Sequence, residues 1–403
     1  MLNGHPKMPG FLPPLALLLM LPLTSGRTQG IPRIDGSVIS ADELDRRLKA
    51  LREAATVHGL SVTVCTPDEV IYETALGDRN LDAGEPLSNA DVLYAASLSK
   101  PVFAYIVLRL ADAGTLDLDR PLVDYLDRPL GDYPFPEVYE GFGDLEGDPR
   151  HRLITARMCL SYSSGLPNWR YIGPRGINMN RKLEIESDPG TFYSYSGEGI
   201  QLLQLVVEQV TGRGLEELAE EHVFDPLGMD MTSFVWQERF EGNYAIGHRR
   251  KKKALPRRKR DREYAAGSME TTPEDYVRFL QAVMRGEGLS EVAYRDMLSP
   301  QIAITSRRQF GPGRWEVTDA NRDIELSYGL GWGLYTTPYG PAVFKEGHLE
   351  GWEHYAVFYP DSGVGLLIMT NSSNGESIFK EILEVAVADS WLPWEWENYI
   401  PYR

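Results

Sequence analysis

Two groups of strand-like segments, one near each end of the chain, bracket a long stretch of helical signal, and this arrangement limits the folds open to it. Near the N-terminus, Leu60–Cys65 and Val70–Ala75 are strand-like runs separated by the turn chemistry of Pro67-Asp68. The last hundred residues hold four more short runs rich in β-branched and aromatic residues: Tyr328–Thr336, Ala342–Lys345, Tyr355–Tyr359 and Gly365–Met369. Pro338-Tyr339-Gly340 and Asp361-Ser362-Gly363 separate some of them, as hairpin turns would. Between the two groups the apolar spacing predicts helices from Ser97 to Gly114, over Ile154–Leu160, Glu198–Val210, Leu215–Val223 and Pro273–Met284. Ser40-Ala41-Asp42-Glu43 starts an earlier helix striped by Leu44, Leu48, Leu51 and Ala55 and ending at Gly59, and a last helix runs from Glu376 to about Ser390. The expectation is an α+β fold. One antiparallel sheet is built from both terminal segments (27–95 and 325–403) with flanking helices. A mainly helical region, 96–324, is inserted and carries a basic loop at 249–262.

The 403 residues are 42% apolar and 25% charged, ordinary values for a globular protein, and the net charge of −17 argues against a nucleic-acid binder. Against that acidic background, Arg249 to Arg262 gathers ten Lys or Arg residues around Pro256. It reads first as a solvated loop or hairpin tip; contact with an anionic surface such as lipid or cell-wall polymer, or a charge match within the molecule, are the alternatives. Lys7 is the only charged side chain before Arg27, and Phe11–Leu23 is apolar but too short to span a bilayer. Residues 1–26 therefore read as an export signal, which predicts a periplasmic or secreted protein with no transmembrane segment in the mature chain. Cys65 and Cys159 read as small buried residues, with a disulfide as the second reading.

Chemistry concentrates at Ser97-Leu98-Ser99-Lys100. One turn apart at a helix start, Ser97 and Lys100 share a face, and an amine so placed can take a proton from a hydroxyl. A second copy of the spacing, Ser377-Ile378-Phe379-Lys380, makes the signal ambiguous until two further motifs are added: Tyr195-Ser196-Gly197 and Lys345-Glu346-Gly347. In this order the three motifs resemble the S-x-x-K, Y-x-N and K-T-G series of the serine β-lactamase and penicillin-binding-protein superfamily, most closely its class C β-lactamase-like branch. Flanking segments are similar too, among them Ser163-Ser164-Gly165-Leu166-Pro167, Pro189 to Ser196, Phe224 to Met229 and Ala265 to Met269. The second copy lies beyond the third motif and so falls outside the series.

The resemblance implies Ser97 as nucleophile, Lys100 and Tyr195 as general base or acid, and Lys345 as the cation that tunes both. It also implies an oxyanion hole from the backbone N–H groups of Ser97 and His348. Whether Lys100 or Tyr195 is the working base stays open. No pattern supports a metal or cofactor, and the absence of G-x-S-x-G argues against an α/β-hydrolase. Two residues depart from the series. Gly197 replaces an asparagine that would bind an acyl amide, and Glu346 replaces a hydroxyl residue that would bind a substrate carboxylate, an anion that Glu346 would repel. The expectation is a serine hydrolase forming an acyl-enzyme on a neutral or cationic ester or amide, with a carboxylesterase leading. The alternatives are a D-aminopeptidase, D-Ala-D-Ala carboxypeptidase or β-lactamase. A catalytically silent cell-wall-binding protein is the alternative of another class.

Overall fold

The computed structural model describes residues 30–402 apart from 136, 138, 139, 174, 175, 251 and 252, together with residues 1, 2 and 4. The export-signal stretch lies, but for those three, outside the described residues. Among the described residues nine strands form one antiparallel sheet: β1 (Gly59–Cys65), β2 (Val70–Asn80), β3 (Glu85–Pro86), β4 (Ile302–Ala303), β5 (Ser327–Tyr328), β6 (Gly333–Thr337), β7 (Gly340–Leu349), β8 (Trp352–Tyr359) and β9 (Val364–Thr370). Their order is β4-β5-β6-β7-β8-β9-β1-β2-β3. The two terminal segments meet inside the sheet, where Leu60 pairs with Thr370 and Cys65 with Gly365. The α+β architecture and the two-ended sheet thus follow the expectation, except that edge strand β4 comes from the stretch 96–324 expected to be the helical insertion.

Strands β1, β8 and β9 are buried along their whole length, so both faces of the sheet are covered there. That explains the unbroken apolar run Leu366-Leu367-Ile368-Met369, which a half-exposed antiparallel strand would alternate with polar residues. Helix α1 (Ala41–Ala55) packs with the C-terminal helix, and a helix at Pro273–Arg285 lies against β1 and β9. Helix α2 (Ser99–Asp112) is buried on every side from Ser99 to Leu108.

Several expected boundaries move. Helix α1 starts where its cap predicts, the Ser40 hydroxyl accepting from the Glu43 N–H at 3.2 Å. It ends at Thr56 in the left-handed region (φ 57°), not at Gly59, which instead opens β1 against Asn371. The run Tyr328–Thr336 is two strands. Gly331 (φ 89°) lies between them, and a Cβ there would sit 2.4 Å from that of Ala104 on α2. The last helix, α3 (Phe379–Ala386), is shorter than expected and stops before Ala388, whose φ is 62°. Cys65 and Cys159 are both free and buried.

One buried carboxylate makes this sheet pH-sensitive. Glu353 on β8 is 4% exposed and accepts the Glu376 N–H, and burial, the largest influence on it, pushes its carboxyl from 4.5 up to about 8. Glu376 beside it is pushed up to about 7, again by burial. A raised carboxyl binds more protons folded than unfolded, so it costs stability as pH rises from 4.5 through its folded value. Below pH 6.5 the buried His354, pushed down to about 4, works in the opposite sense. Thermal stability is therefore expected to fall between pH 6.5 and 8, and Glu353→Gln to flatten that decline. An unchanged slope by calorimetry would remove Glu353 as its source.

Candidate active site

Ser97 sits in the middle of a 3₁₀ turn, Ala96–Leu98, that leads directly into α2. Ala96 holds φ at 50°, a left-handed conformation costing an alanine about 1 kcal/mol, so the surroundings must hold the turn in place. They do so from two sides. The Ala95 N–H bonds to the Met269 carbonyl at 2.9 Å, and His354 Nε2 lies 2.8 Å from the Tyr94 carbonyl. The Thr370 N–H donates to His354 Nδ1, which leaves Nε2 as the protonated nitrogen that donates to Tyr94.

Lys100 Nζ lies 3.0 Å from Ser97 Oγ and donates to the Ala266 carbonyl at 2.5 Å. The residue is 1% exposed. Burial pushes its ammonium below the ordinary lysine range, and the charge of Lys345 pushes the same way against the attraction of Tyr195. Tyr195 lies between the two lysines, with Lys100 Nζ 5.1 Å and Lys345 Nζ 4.9 Å from its ring centre. Burial alone would raise its phenol, but Lys100 and Lys345 together outweigh burial and hold it below the ordinary value. The four side chains expected from the motifs are therefore brought together.

Lys345 is fully buried on β7, 3.5 Å from the Tyr195 hydroxyl. Glu346 turns back onto it, with Oε1 2.7 Å from Nζ, and also accepts from Gln309 Nε2 at 3.0 Å. Burial disfavours the Lys345 charge, yet Glu346 and Tyr195 more than restore it. Glu346 is thus not the bare repelling carboxylate that the sequence suggests. It is an internal counter-ion that occupies the cation otherwise free to hold a substrate anion.

Gly347 lets β7 run against the nucleophile turn. A Cβ there would meet the Ala95 carbonyl at 3.0 Å and Leu98 Cγ at 3.1 Å. This close approach brings the start of the Lys345-Glu346-Gly347-His348 segment against the nucleophile turn, and the His348 side chain, 65% exposed, lies with Nδ1 3.4 Å from Glu353. At the other departure, Gly197 is the first residue of a helix, Gly197–Thr211, and has no room for a side chain. A Cβ would lie 2.6 Å from the Asn168 carbonyl and 2.9 Å from Trp169, and Asn168 Oδ1 accepts the Gly197 N–H. Asn168 and Trp169 therefore fill the space that a larger residue at 197 would claim.

Sequence reasoning missed the residues that fix this loop. Arg170 and Glu198, both nearly inaccessible, form a two-pronged ion pair (3.0 and 2.7 Å). It ties the loop bearing Asn168 and Trp169 to the helix following Tyr195. Gln309 and Phe310 were missed as well; Phe310 packs its ring 5.2 Å from that of Tyr195. No motif marks them, because each contact joins segments distant in sequence. The competing Ser377 and Lys380 are elsewhere: Ser377 bonds the Asn374 carbonyl, and Lys380 lies 3.8 Å from Glu384 on the surface of α3.

A cavity of about 1030 Å³ opens over Ser97, walled on one side by Trp169, Tyr171, Phe310 and Phe135. The basic run starts in a hairpin, His248–Arg249 pairing with Lys253–Ala254, as one reading had it, but from Arg258 it forms part of another wall and is not a solvated loop. Arg257 reaches inward to the fully buried Glu270 at 2.5 Å, Lys259 pairs with Glu241, and Arg262 pairs with Glu140 at 3.0 Å. A charge match within the molecule, one of the alternatives, is what occurs. Among the described residues, His348, Glu353 and Glu376 bring ligand-type atoms within 4.8 Å of one another. One Glu353 oxygen in that group is already taken by the Glu376 N–H.

The beta-lactamase family model matches residues 44–388. The chain belongs to the beta-lactamase family of serine hydrolases. Its similarity to a lovastatin esterase of Penicillium rubens is 32% identity over 47% of this chain, spanning about half (52%) of that relative. A penicillin-binding protein 4 of Amycolatopsis lactamdurans is 24% identical, covering 83% of this chain and 86% of the relative. Among solved structures, EstCE1, described as a hydrolase with promiscuous acyltransferase activity, superposes with a TM-score of 0.66 at 18% identity, over 86% of this chain and 98% of that one. A class C β-lactamase superposes equally well, with a TM-score of 0.66 at 18% identity, over 87% and 95%. Among the described residues of this family member, no helix is long and apolar enough to cross a membrane.

The packing of Gly347 generates a direct test. Gly347→Ala should push β7 off the nucleophile turn and lower the rate of Ser97 labelling by a fluorophosphonate probe by about a hundredfold, since one oxyanion donor is worth about 3 kcal/mol. The thermal midpoint should change far less. Labelling at the wild-type rate would show that β7 need not approach Ser97 so closely.

Proposed function

We propose that this beta-lactamase-family enzyme is a carboxylesterase whose substrates carry no carboxylate beside the scissile carbonyl. The observation that carries this reading is the 2.7 Å pair between Lys345 and Glu346. It neutralises the cation that a penicillin or a D-Ala-D-Ala terminus would otherwise use. The missing side chain at Gly197 supports it, because residue 197 itself offers no amide to a peptide-like acyl group. The similarity to an esterase from Penicillium rubens points the same way.

In this reading Ser97 Oγ attacks the ester carbonyl while its proton passes to neutral Lys100, 3.0 Å away. The oxyanion that forms is held by the N–H groups of Ser97 and His348. Collapse breaks the ester C–O bond, and the departing alkoxide takes a proton from Tyr195, which regains one from Lys100. Water then attacks the acyl-Ser97 ester, giving up its proton to Lys100 or Tyr195; the acyl–Oγ bond breaks, Ser97 Oγ takes that proton back, and the acid is released. Lys345 and Glu346 take no proton. They set the field in which Lys100 and Tyr195 exchange one. Export to the periplasm or exterior is part of the same proposal and rests on the apolar stretch Phe11–Leu23.

A panel of short p-nitrophenyl esters, D-amino acid p-nitroanilides and nitrocefin tests the reading. Wild type should cleave the acetate and butyrate esters, with nitrocefin and the anilides at least a hundredfold slower, and Ser97→Ala should lose all three activities. Glu346→Thr, which frees Lys345, should raise the nitrocefin rate relative to the esters. Fast nitrocefin turnover by wild type would overturn the assignment.

A further inference from the structure

The basic run is more than a set of ion pairs, because its residues do two different things. Arg257 and Lys259 anchor it. Arg257 lies 4.9 Å from the ring centre of Trp352 and 5.2 Å from that of Trp236, besides its pair with Glu270, and Lys259 stacks 5.1 Å from Trp236. Arg258, Arg260 and Arg262 line the same cavity as Ser97.

The charges on that wall are not all balanced. Arg262 is matched by Glu140. Arg260 lies flat on Tyr94, 3.9 Å from its ring centre, and shares Glu270 with Arg257 at 3.7 Å, so one carboxylate serves two guanidiniums. Arg258 is exposed and has no ion-pair partner among the described residues. Five acids also line the cavity: Glu140 pairs with Arg262, Glu198 with Arg170 and Glu346 with Lys345, while Glu263 accepts the Glu216 N–H and Glu208 accepts from Gln204. Of the other cations near Ser97, Arg128 lies 3.4 Å from Asp127 and Lys345 is occupied by Glu346.

We infer that Arg258, backed by Arg260, forms an anion subsite, so that the enzyme favours esters carrying a carboxylate at the end remote from the scissile bond, with the apolar body between lying on Trp169, Tyr171 and Phe310. This rests on the esterase reading for its substrate class, and it moves the anion anchor from Lys345 to the strap. A guanidinium presents two parallel donors to a carboxylate, and Arg258 has no ion-pair partner among the described residues to compete for them.

The test measures binding to the Ser97→Ala enzyme by calorimetry. The probes are p-nitrophenyl hemiesters of C4 to C10 dicarboxylic acids, each beside its methyl-capped neutral counterpart. At the best chain length the hemiester should bind at least tenfold tighter than the capped ester. The advantage should shrink in 0.5 M salt, vanish in Arg258→Gln and persist in Arg258→Lys. Equal affinity for both forms, no affinity for either, or an advantage that survives Arg258→Gln overturns the subsite. Wild-type turnover of the capped esters is scored separately. Turnover without a hemiester advantage leaves the esterase reading standing and removes the subsite, whereas hemiester binding without any turnover does the reverse.

Discussion

Two lysines buried against one tyrosine set the terms for everything else in this molecule. Water would normally keep Lys100 and Lys345 both charged and apart. Here neither can reach water, and Tyr195 lies about 5 Å from each. The conflict is resolved unevenly. Lys345 keeps its proton because Glu346 lies against it, and Lys100, with only Ser97, Tyr195 and a carbonyl for company, is pushed toward neutrality. A neutral amine 3.0 Å from a serine hydroxyl is a base, and the same field lowers the phenol of Tyr195.

The fold can be understood as the scaffold that this burial demands. Helix α2 has to be covered on all sides for Lys100 to be dry, and the sheet, closed by strands from both ends of the chain, supplies one of the covering layers. The Ser97 turn is strained at Ala96 and pinned by His354 and the Met269 carbonyl. Strand β7 packs this closely on the Ser97 turn only because residue 347 has no side chain. Buried ion pairs are poor sources of net stability, so the Arg170–Glu198 pair is better understood as fixing one loop geometry beside Tyr195.

Much of this was legible in the sequence, for reasons that differ by element. The sheet could be read because β-branched runs cluster at both ends. That Ser97, Lys100, Tyr195 and Lys345 come together could be read because they stand in short motifs whose order excludes Ser377 and Lys380. Helix ends were read less well where the decisive residue was Thr56 or Ala388 in a left-handed conformation, which carries no compositional mark. The pairing of Glu346 with Lys345 was missed because neighbouring strand residues ordinarily point to opposite faces. The role of Arg249 to Arg262 was misread for another reason. Its partners Glu140, Glu241, Glu270 and Glu350 are scattered over more than two hundred residues, and only the fold collects them.

The central claim is that Lys100 is the neutral amine of the pair. It is tested most directly by following the Nζ of each lysine by nitrogen-15 NMR in lysine-labelled enzyme, with Lys100→Arg and Lys345→Arg used to assign the two signals. The account predicts that Lys100 titrates below the ordinary lysine value of 10.5 and Lys345 above it. A Lys100 that stays protonated up to or beyond 10.5, or a Lys345 that loses its proton first, would contradict it.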